Sequence, residues 1–371
     1  MPEPFDTLHF NMACALAMKG FGLASPNPLV GCVITRGKTR VGEGYHRFEG
    51  RDHAEIVALN AAGKKARGST LFVNLEPCSH TGRTGPCADA IIAAGVRRVV
   101  AGMEDPNPLV AGRGFRKLRA AGIHVDLACP EEQEFARRLN EDFACWIRTK
   151  RPFVTLKSAL TLDGQLALPH HMRKGNSSWF TSEESRHCVH FMRLKSDAVL
   201  TGIGTVLADN PLLTDRSGHS RRRKLLRVVL DSRLRLPVKS RIVKSCQSDL
   251  LVFTGVSPRS AKARLLQKVG VELIQAPMGR GKIDLTFVLG ELGRREILSV
   301  LLESGPALNT SALESDIVDK LFLFYASIIA GTPTIAFANA PFVLSSLRSV
   351  QFHALGLDFA IEGYLHDVFR D

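Results

Sequence analysis

Four residues, His53, Glu55, Cys78 and Cys87, constrain this chain more than any other feature. They lie in His53-Ala54-Glu55 and in a run from Glu76-Pro77-Cys78 to Gly85-Pro86-Cys87. One imidazole and two thiolates make a zinc ligand set, and three protein ligands leave a fourth position for water, whose pKa then falls toward ~7. Deamination of an aromatic amidine needs hydroxide at neutral pH and a group that carries its proton to the leaving ammonia. Glu55, beside a ligand without being one, is the expected proton carrier. The local pattern brings these residues to compatible places. His53–Ala62 reads as a helix ended by Gly63, Pro86–Ala94 as a helix with proline in its first turn, and Thr70–Leu75 as a strand with Cys78 just past its end. Helix N-termini favour thiolates, which lowers the cost of keeping both sulfurs ionised. Zinc deaminases carry H-x-E followed by P-C-x-x-C. Here eight residues separate the cysteines, so the first half matches and the second is expanded. A closed structural zinc site with His80 as fourth ligand is the alternative, and it leaves the His-Ala-Glu triplet unexplained.

Helix and strand signals alternate around this constellation. Asp6 is placed to cap a first helix carrying Leu8, Met12, Ala15 and Leu16 on one face. Leu29–Ile34 reads as a strand, Arg36-Gly37-Lys38 as a turn and Thr39–Tyr45 as the return strand. Val96–Ala101 and Ile123–Leu127 read as strands, with Phe115–Ala121 helical between them and a single helix over Glu131–Trp146. Such alternation predicts an α/β layered domain. The polar, basic stretch Ile147-Arg148-Thr149-Lys150-Arg151-Pro152 marks a boundary, giving domains at 1–147 and 151–371. Alternation then restarts, with strands near 153–159, 197–201, 226–231, 249–254, 271–274, 298–303 and 318–325. Helices fall near 183–195, 258–269 and 307–314, so the second half is expected to be a separate α/β sheet domain. A length of 371 residues suits two domains.

Charge and cysteines add little. A net charge of +13 suits either a nucleic-acid binder or an enzyme of anionic small molecules. The densest run, Arg221-Arg222-Arg223-Lys224, has no interleaved aromatics to stack bases and reads as a solvated surface loop. Cys14, Cys32 and Cys145 fall in apolar patterns and read as small buried hydrophobes. The N-terminus has no secretory pattern, and the most apolar stretch, Leu321–Ala330, is far short of the ~20 residues a membrane span needs. A cytoplasmic enzyme is expected.

In the second half the dinucleotide fingerprint G-x-G-x-x-G is absent, since Gly202-Ile203-Gly204 continues as Thr205-Val206-Leu207. What remains is Glu303-Ser304-Gly305-Pro306 between an apolar strand and a helix, which reads equally as an anion cradle or a plain strand-to-helix turn.

Taken together, the segments resemble the bifunctional riboflavin-biosynthesis deaminase/reductase family, from the first helix to about residue 325. Pro26-Asn27-Pro28-Leu29-Val30-Gly31, Gly42-Glu43-Gly44-Tyr45-His46, Asp105-Pro106-Asn107-Pro108 and the long P-C-S-H-x-G-R-T insert carry the resemblance in the first half. Lys157-Ser158-Ala159, Leu162-Asp163-Gly164, Thr201–Pro211 and Glu303–Pro306 carry it in the second. The chain departs from the family at Gly85 and Ser304, and in the less glycine-rich Ser327–Thr332. The resemblance implies a cytidine-deaminase-like first domain and a dihydrofolate-reductase-like second domain that uses NADPH. It implies that Asn27, His46, His80, Arg83, Asp105 and Asn107 line the deaminase pocket. It further implies that Leu160, Trp179, Thr205, Asp209, Ser232 and the turn Gly305, Pro306, Ala307, Leu308, Asn309, Thr310 and Ser311 contact NADPH. Ser177, Arg193, Leu213, Arg216 and Glu303 would contact the reductase substrate, the arginines near its phosphate. The implied activity is zinc-dependent deamination of a diaminopyrimidinone phosphoribosylamine, then reduction of its ribosyl group to ribityl. The expected partner is a phosphorylated pyrimidine, with neither nucleic acid nor membrane, in a homo-oligomer. Two rivals remain on sequence grounds: an RNA adenosine deaminase with an appended domain, and a zinc-stabilised binding protein that senses nucleotides without turnover.

Overall fold

The structure is a computed structural model and describes residues 4–50, 52–80, 85–166, 180–331, 335–338 and 346–369. The chain divides into two compact units, Met1–Thr149 with Ser220–Arg222, and Lys150–His219 with Arg223–Asp371.

The first unit contains strands β1 (Gly31–Arg36), β2 (Thr39–Tyr45), β3 (Thr70–Val73), β4 (Arg98–Ala101) and β5 (His124–Leu127). Its helices are α1 (Pro4–Met18), α2 (Ala54–Ala62), α3 (Cys87–Ala93), α4 (Arg113–Ala120), α5 (Pro130–Leu139) and α6 (Glu141–Thr149). The sheet order is β2-β1-β3-β4-β5. β1 runs antiparallel to β2 and β3, whereas β3, β4 and β5 are parallel. Cys32, Ile34, Leu71, Val73 and Val99 point into a core completed by Ala54, Ala58, Ile91 and Phe115 from α2, α3 and α4. Small residues let α2 lie flush on the sheet: a Cβ at Gly44 would sit 2.6 Å from the Ala54 carbonyl oxygen. That close approach fixes where α2 begins, and with it His53.

Two sequence expectations change here. Asp6 is not a cap, because α1 already begins at Pro4; its carboxylate instead accepts two bonds from Arg98, at 3.1 and 2.8 Å. The single helix expected over Glu131–Trp146 is broken at Asn140, whose backbone leaves helical geometry between α5 and α6. The basic run also differs in part. Residues Ser220–Arg222 pack with this unit, where the Arg222 amide donates to the Gly22 oxygen (2.8 Å) and its guanidinium lies 3.7 Å from the Phe48 ring centre.

The second unit contains β6 (Phe153–Thr161), β7 (Ala198–Gly202), β8 (Leu226–Leu230), β9 (Leu250–Thr254), β10 (Glu272–Gln275), a short β11–β12 hairpin (Met278–Gly279, Lys282–Ile283), β13 (Ser299–Glu303), β14 (Lys320–Ala326), β15 (Arg348–Leu355) and β16 (Asp358–Tyr364). Helices are α7 (Glu183–Lys195), α8 (Ile203–Asp209), α9 (Arg241–Lys244), α10 (Ala261–Lys268), α11 (Leu285–Arg294) and α12 (Pro306–Glu314). The large sheet is ordered β10-β9-β8-β7-β13-β6-β14-β16-β15, with β10 through β14 parallel and the last two strands antiparallel. β13 enters between β7 and β6, so the chain switches direction there and the helix after β13, α12, starts at the switch. Ligands of open α/β sheets bind at such a point. Helices α8, α9 and α11, the β11–β12 hairpin and the terminal β15–β16 pair had no counterpart in the sequence reading.

Gly31 tests how closely α1 seats on β1, since a Cβ there would lie 2.0 Å from the Ala13 oxygen and 2.5 Å from the Ala17 nitrogen. Both are backbone atoms and cannot rotate away. Gly31→Ala is therefore expected to destabilise the first unit by about 3 kcal/mol, the upper part of the range for overpacking. Thermal unfolding followed by circular dichroism measures this, and an unchanged midpoint would contradict the packing described.

Candidate active sites

The parallel strand ends and two helix starts bring the expected metal ligands together. His53 is the residue before α2, in extended conformation, and Cys87 is the first residue of α3. Cys78 lies on the loop after β3. The ligand atoms of His53, Cys78 and Cys87 all fall within 4.8 Å of one another, the one such group among the described residues. His53 Nδ1 faces both sulfurs, 3.1 Å from Cys87 and 3.6 Å from Cys78. His80 is exposed and outside this group, so the closed four-ligand alternative finds no support.

The electrostatics of the cluster suit a cation. The Cys87 amide, at the start of α3, donates to Cys78 Sγ (3.3 Å). A hydrogen bond from Cys87 and the nearby His53 pull the Cys78 thiol down to about 4. The same bond and burial push the Cys87 thiol up, because a second thiolate cannot form beside the first without compensating charge. Glu55, 3% exposed, lies within hydrogen-bonding reach of Cys87, and burial raises its carboxyl above the usual range. A dication would relieve all three groups together. Two thiols, an imidazole and a neighbouring carboxylate are thus a donor set that fits zinc.

Around the cluster, the structure brings some implied pocket residues together. His46 is buried, its Nδ1 donates to the Asp52 carbonyl (3.0 Å), and its Nε2 accepts from Asn27 Nδ2 (2.9 Å). That network assigns the Nδ1–H tautomer, and burial lowers the imidazole pKa, keeping it neutral. The His46 ring meets the His53 ring edge-on with centres 5.5 Å apart. Asp105 and Asn107 form a turn: Asp105 Oδ1 accepts from the Asn107 amide (2.9 Å), and Asn107 Oδ1 from Leu109 (3.1 Å). Arg83 lies outside the described residues.

One organising residue had no role in the sequence reading. Glu76 is buried, and its carboxylate accepts from the amides of Asp105 (3.0 Å), Gly112 (2.8 Å), Gly114 (2.7 Å) and Phe115 (3.3 Å). It ties the segment before Cys78 to the turn that carries Asp105. A glutamate two residues before the cysteine was visible, but nothing local marks amides 29 to 39 residues away as its partners.

In the second unit, Glu303 ends β13 beside Lys157 of β6, its partner in register. Arg193 of α7 donates to both Glu303 oxygens, from Nε (2.7 Å) and Nη2 (2.9 Å), and from Nη1 to the Thr214 carbonyl (3.0 Å). The guanidinium is therefore engaged with a carboxylate, where the sequence reading had placed it near a phosphate. Lys157 Nζ is 3.9 Å from Glu303 and 5.6 Å from the Phe324 ring centre. Burial alone would raise the Glu303 carboxyl, but Arg193 and Lys157 override it and hold the group at about 2. Burial lowers the Lys157 pKa. Lys157 was quoted only as part of a motif; its charge inside a strand of buried alternating positions was the available signal.

The implied cofactor positions lie on several elements of this sheet, with α12 at the switch. Gly305 precedes α12, and no atom stands within 4 Å of where a Cβ would be, so the helix start is open. Thr205 and Asp209 lie on α8, Leu160 is buried near the end of β6, and Ser232 follows β8. The buried Ser158 and Thr201 hydroxyls have no hydrogen-bond partner. Ser304, where the family has glycine, donates to Asn309 Oδ1 (2.7 Å). Among Ala330 and Gly331 only Gly331 is left-handed (φ +69°), so the alanine is accommodated. Leu213 is buried with φ +54°, and Arg216 is exposed. Ser177 and Trp179 lie outside the described residues.

Comparisons with known proteins follow this division. Residues 5–103 match the cytidine and deoxycytidylate deaminase zinc-binding region, and residues 152–361 match the RibD C-terminal domain, beyond the limit near 325 expected from sequence. The chain is 41% identical over 331 residues to the riboflavin biosynthesis protein RibD of Aquifex aeolicus, covering 89% of each. It is 39% identical over 347 residues to that of Escherichia coli K12, covering 91% of each. Acinetobacter baumannii RibD superposes with a TM-score of 0.82 at 34% identity, over 97% of this chain and 98% of that one. A Thermotoga maritima diaminohydroxyphosphoribosylaminopyrimidine deaminase/5-amino-6-(5-phosphoribosylamino)uracil reductase gives 0.81 at 35% identity, with the same coverage.

The charge network yields a pH prediction. Glu303 is held below its ordinary value of 4.5, so its contribution to stability is complete above that value and is lost as pH falls toward 2. Acid unfolding of the second unit is expected to be less steep between those values in Glu303→Gln. Identical acid titrations of the two proteins by circular dichroism would contradict the network.

Proposed function

This chain belongs to the RibD family of riboflavin-biosynthesis proteins, and from that premise we propose how its residues share the work of a bifunctional deaminase and reductase. The first unit is a zinc-dependent deaminase and the second a reductase. We assign His53, Cys78 and Cys87 as zinc ligands, and what supports this is the convergence of their ligand atoms within 4.8 Å. Bound zinc supplies hydroxide at neutral pH by lowering the pKa of water toward ~7. Glu55, buried at the cluster and not one of its ligands, takes the water proton and delivers it to the ring nitrogen and leaving ammonia. Asn27 spends one N–H on His46, which leaves its carbonyl oxygen and second N–H to read the aminopyrimidine edge. His80, Arg83, Asp105 and Asn107 complete that pocket, with His80 and Arg83 toward the ribose phosphate.

In the second unit we assign NADPH to the open start of α12, through Gly305–Ser311, with Leu160, Trp179, Thr205, Asp209 and Ser232 as further contacts. NADPH held there would supply a hydride for the sugar carbonyl carbon. Lys157 of β6 stands beside Glu303 at the end of β13, and we assign Lys157 as the proton donor to the carbonyl oxygen. Ser177, Arg193, Leu213 and Arg216 hold the remainder of the substrate. The substrate is a diaminopyrimidinone phosphoribosylamine and the product of the second step carries a ribityl chain. Among the described residues no helix is long and apolar enough to cross a membrane. A cytoplasmic location completes the reading. So does self-association, which the exposed Val350 and Phe352 on edge strand β15 favour.

Glu55→Gln is expected to lower deamination by about 10²–10⁴-fold while zinc stays bound and reduction proceeds at the parent rate. Metal analysis and separate assays of the two steps decide this, and undiminished deamination would remove Glu55 from its role. Asp209→Ala should raise the NADPH concentration needed for reduction several-fold and spare deamination. Loss of both activities in that variant would contradict separable sites.

A further inference from the structure

Two fully buried asparagines have no part in the assignment above. Asn140 Oδ1 accepts from the Leu29 amide (2.8 Å), and its Nδ2 donates to the Leu29 carbonyl (3.1 Å). Asn74 Nδ2 donates to the same carbonyl (2.7 Å), and its Oδ1 accepts from the Gly31 amide (2.8 Å). Both side chains are 0% exposed.

Their targets lie at the margin of the sheet. Pairing of β1 with β2 begins at Gly31 opposite Tyr45, and pairing with β3 begins at Cys32 opposite Val73. Leu29 lies just before these first registered pairs, so its polar groups have no strand partner on either side. The two asparagines stand in for that partner and extend the hold of the sheet toward Asn27. From there the connection to the site is short. Val30 accepts from the His46 amide (2.9 Å), and Asn27 Nδ2 donates to His46 Nε2 (2.9 Å). A shift of the Leu29 backbone moves Asn27 relative to His46 and the metal cluster.

Asn140 reaches Leu29 only because the helical run breaks there. Its backbone sits at φ −121° and ψ 22°, between α5 and α6. A break inside a helical run forfeits backbone hydrogen bonds, and the two bonds that Asn140 makes to Leu29 offset that loss.

We propose that Asn140, seconded by Asn74, is a positioning residue for deamination: the two clamp Leu29 so that the Asn27 amide meets the substrate ring. This rests on the deaminase reading of the site. A positioning role differs from a merely structural one in acting through Asn27, so substitutions at the two positions must be coupled.

The test uses the zinc-loaded full chain as Asn140→Ala, Asn74→Ser, Asn27→Ala and the Asn27→Ala/Asn140→Ala pair. KM and kcat for deamination of the pyrimidine nucleotide are measured with zinc content and reductase activity on the same preparations. Asn140→Ala is expected to raise KM about tenfold, the equivalent of about one lost hydrogen bond, with zinc and reduction unchanged. In the Asn27→Ala background the same change should leave KM within about twofold of Asn27→Ala alone. An unaltered KM with only the amount of zinc-loaded enzyme reduced would overturn the proposal, as would KM effects that multiply in the pair. Should Asn140→Ala lose zinc and both activities through misfolding, Asn74→Ser, alone and combined with Asn27→Ala, decides on the same criteria. Failure of the parent protein to deaminate the nucleotide would instead sink the deaminase reading itself.

Discussion

Two thiols and a carboxylate cannot be ionised together in a buried site without a cation among them. The first unit is arranged around that constraint. Cys78 and Cys87 split their acidities, one pulled down to about 4 and the other pushed up, while burial raises Glu55. His53 supplies the nitrogen of the proposed three-ligand set, and the close seating of α2 against Gly44 sets where that nitrogen stands. The fold fixes the starts of α2 and α3 against the end of β3, and with the proposed three ligands a fourth coordination position would remain for chemistry.

The second unit answers a different electrostatic need. Reduction of a carbonyl requires a proton source near the acceptor and little competing water. Glu303, Arg193 and Lys157 form a compact charged group at the sheet switch, with opposite charges compensating burial that none would tolerate alone. Because Arg193 is already bidentate to Glu303, its service to a substrate phosphate would be shared with that pair. The exposed Arg216 is the freer of the two arginines named for that role.

The metal site was legible in sequence because its chemistry is local: each ligand sits at a helix start or strand end marked by Pro, Gly or an apolar run. Most strands of both units were legible for the same reason, their buried runs being continuous. What escaped depends on distant partners. Asn140 breaks a helix for contacts with Leu29, which no helical periodicity encodes. Glu76 looks like one more acidic residue until the amides at 105, 112, 114 and 115 close on it. The β15–β16 pair was missed because β15 is largely exposed and lacks the buried alternation that marks a strand. Arg222 sits in a run that looks solvated, yet it stacks on Phe48, a partner far away in sequence.

The coordination of the metal itself is the most direct measure of this account. X-ray absorption at the zinc edge of the purified protein is expected to show one zinc per chain with two sulfurs at ~2.3 Å and two lighter atoms at ~2.0–2.1 Å. One of the lighter ligands should change when a substrate analogue binds. Absence of zinc, or a Glu55 oxygen completing a closed shell that no analogue alters, would contradict it.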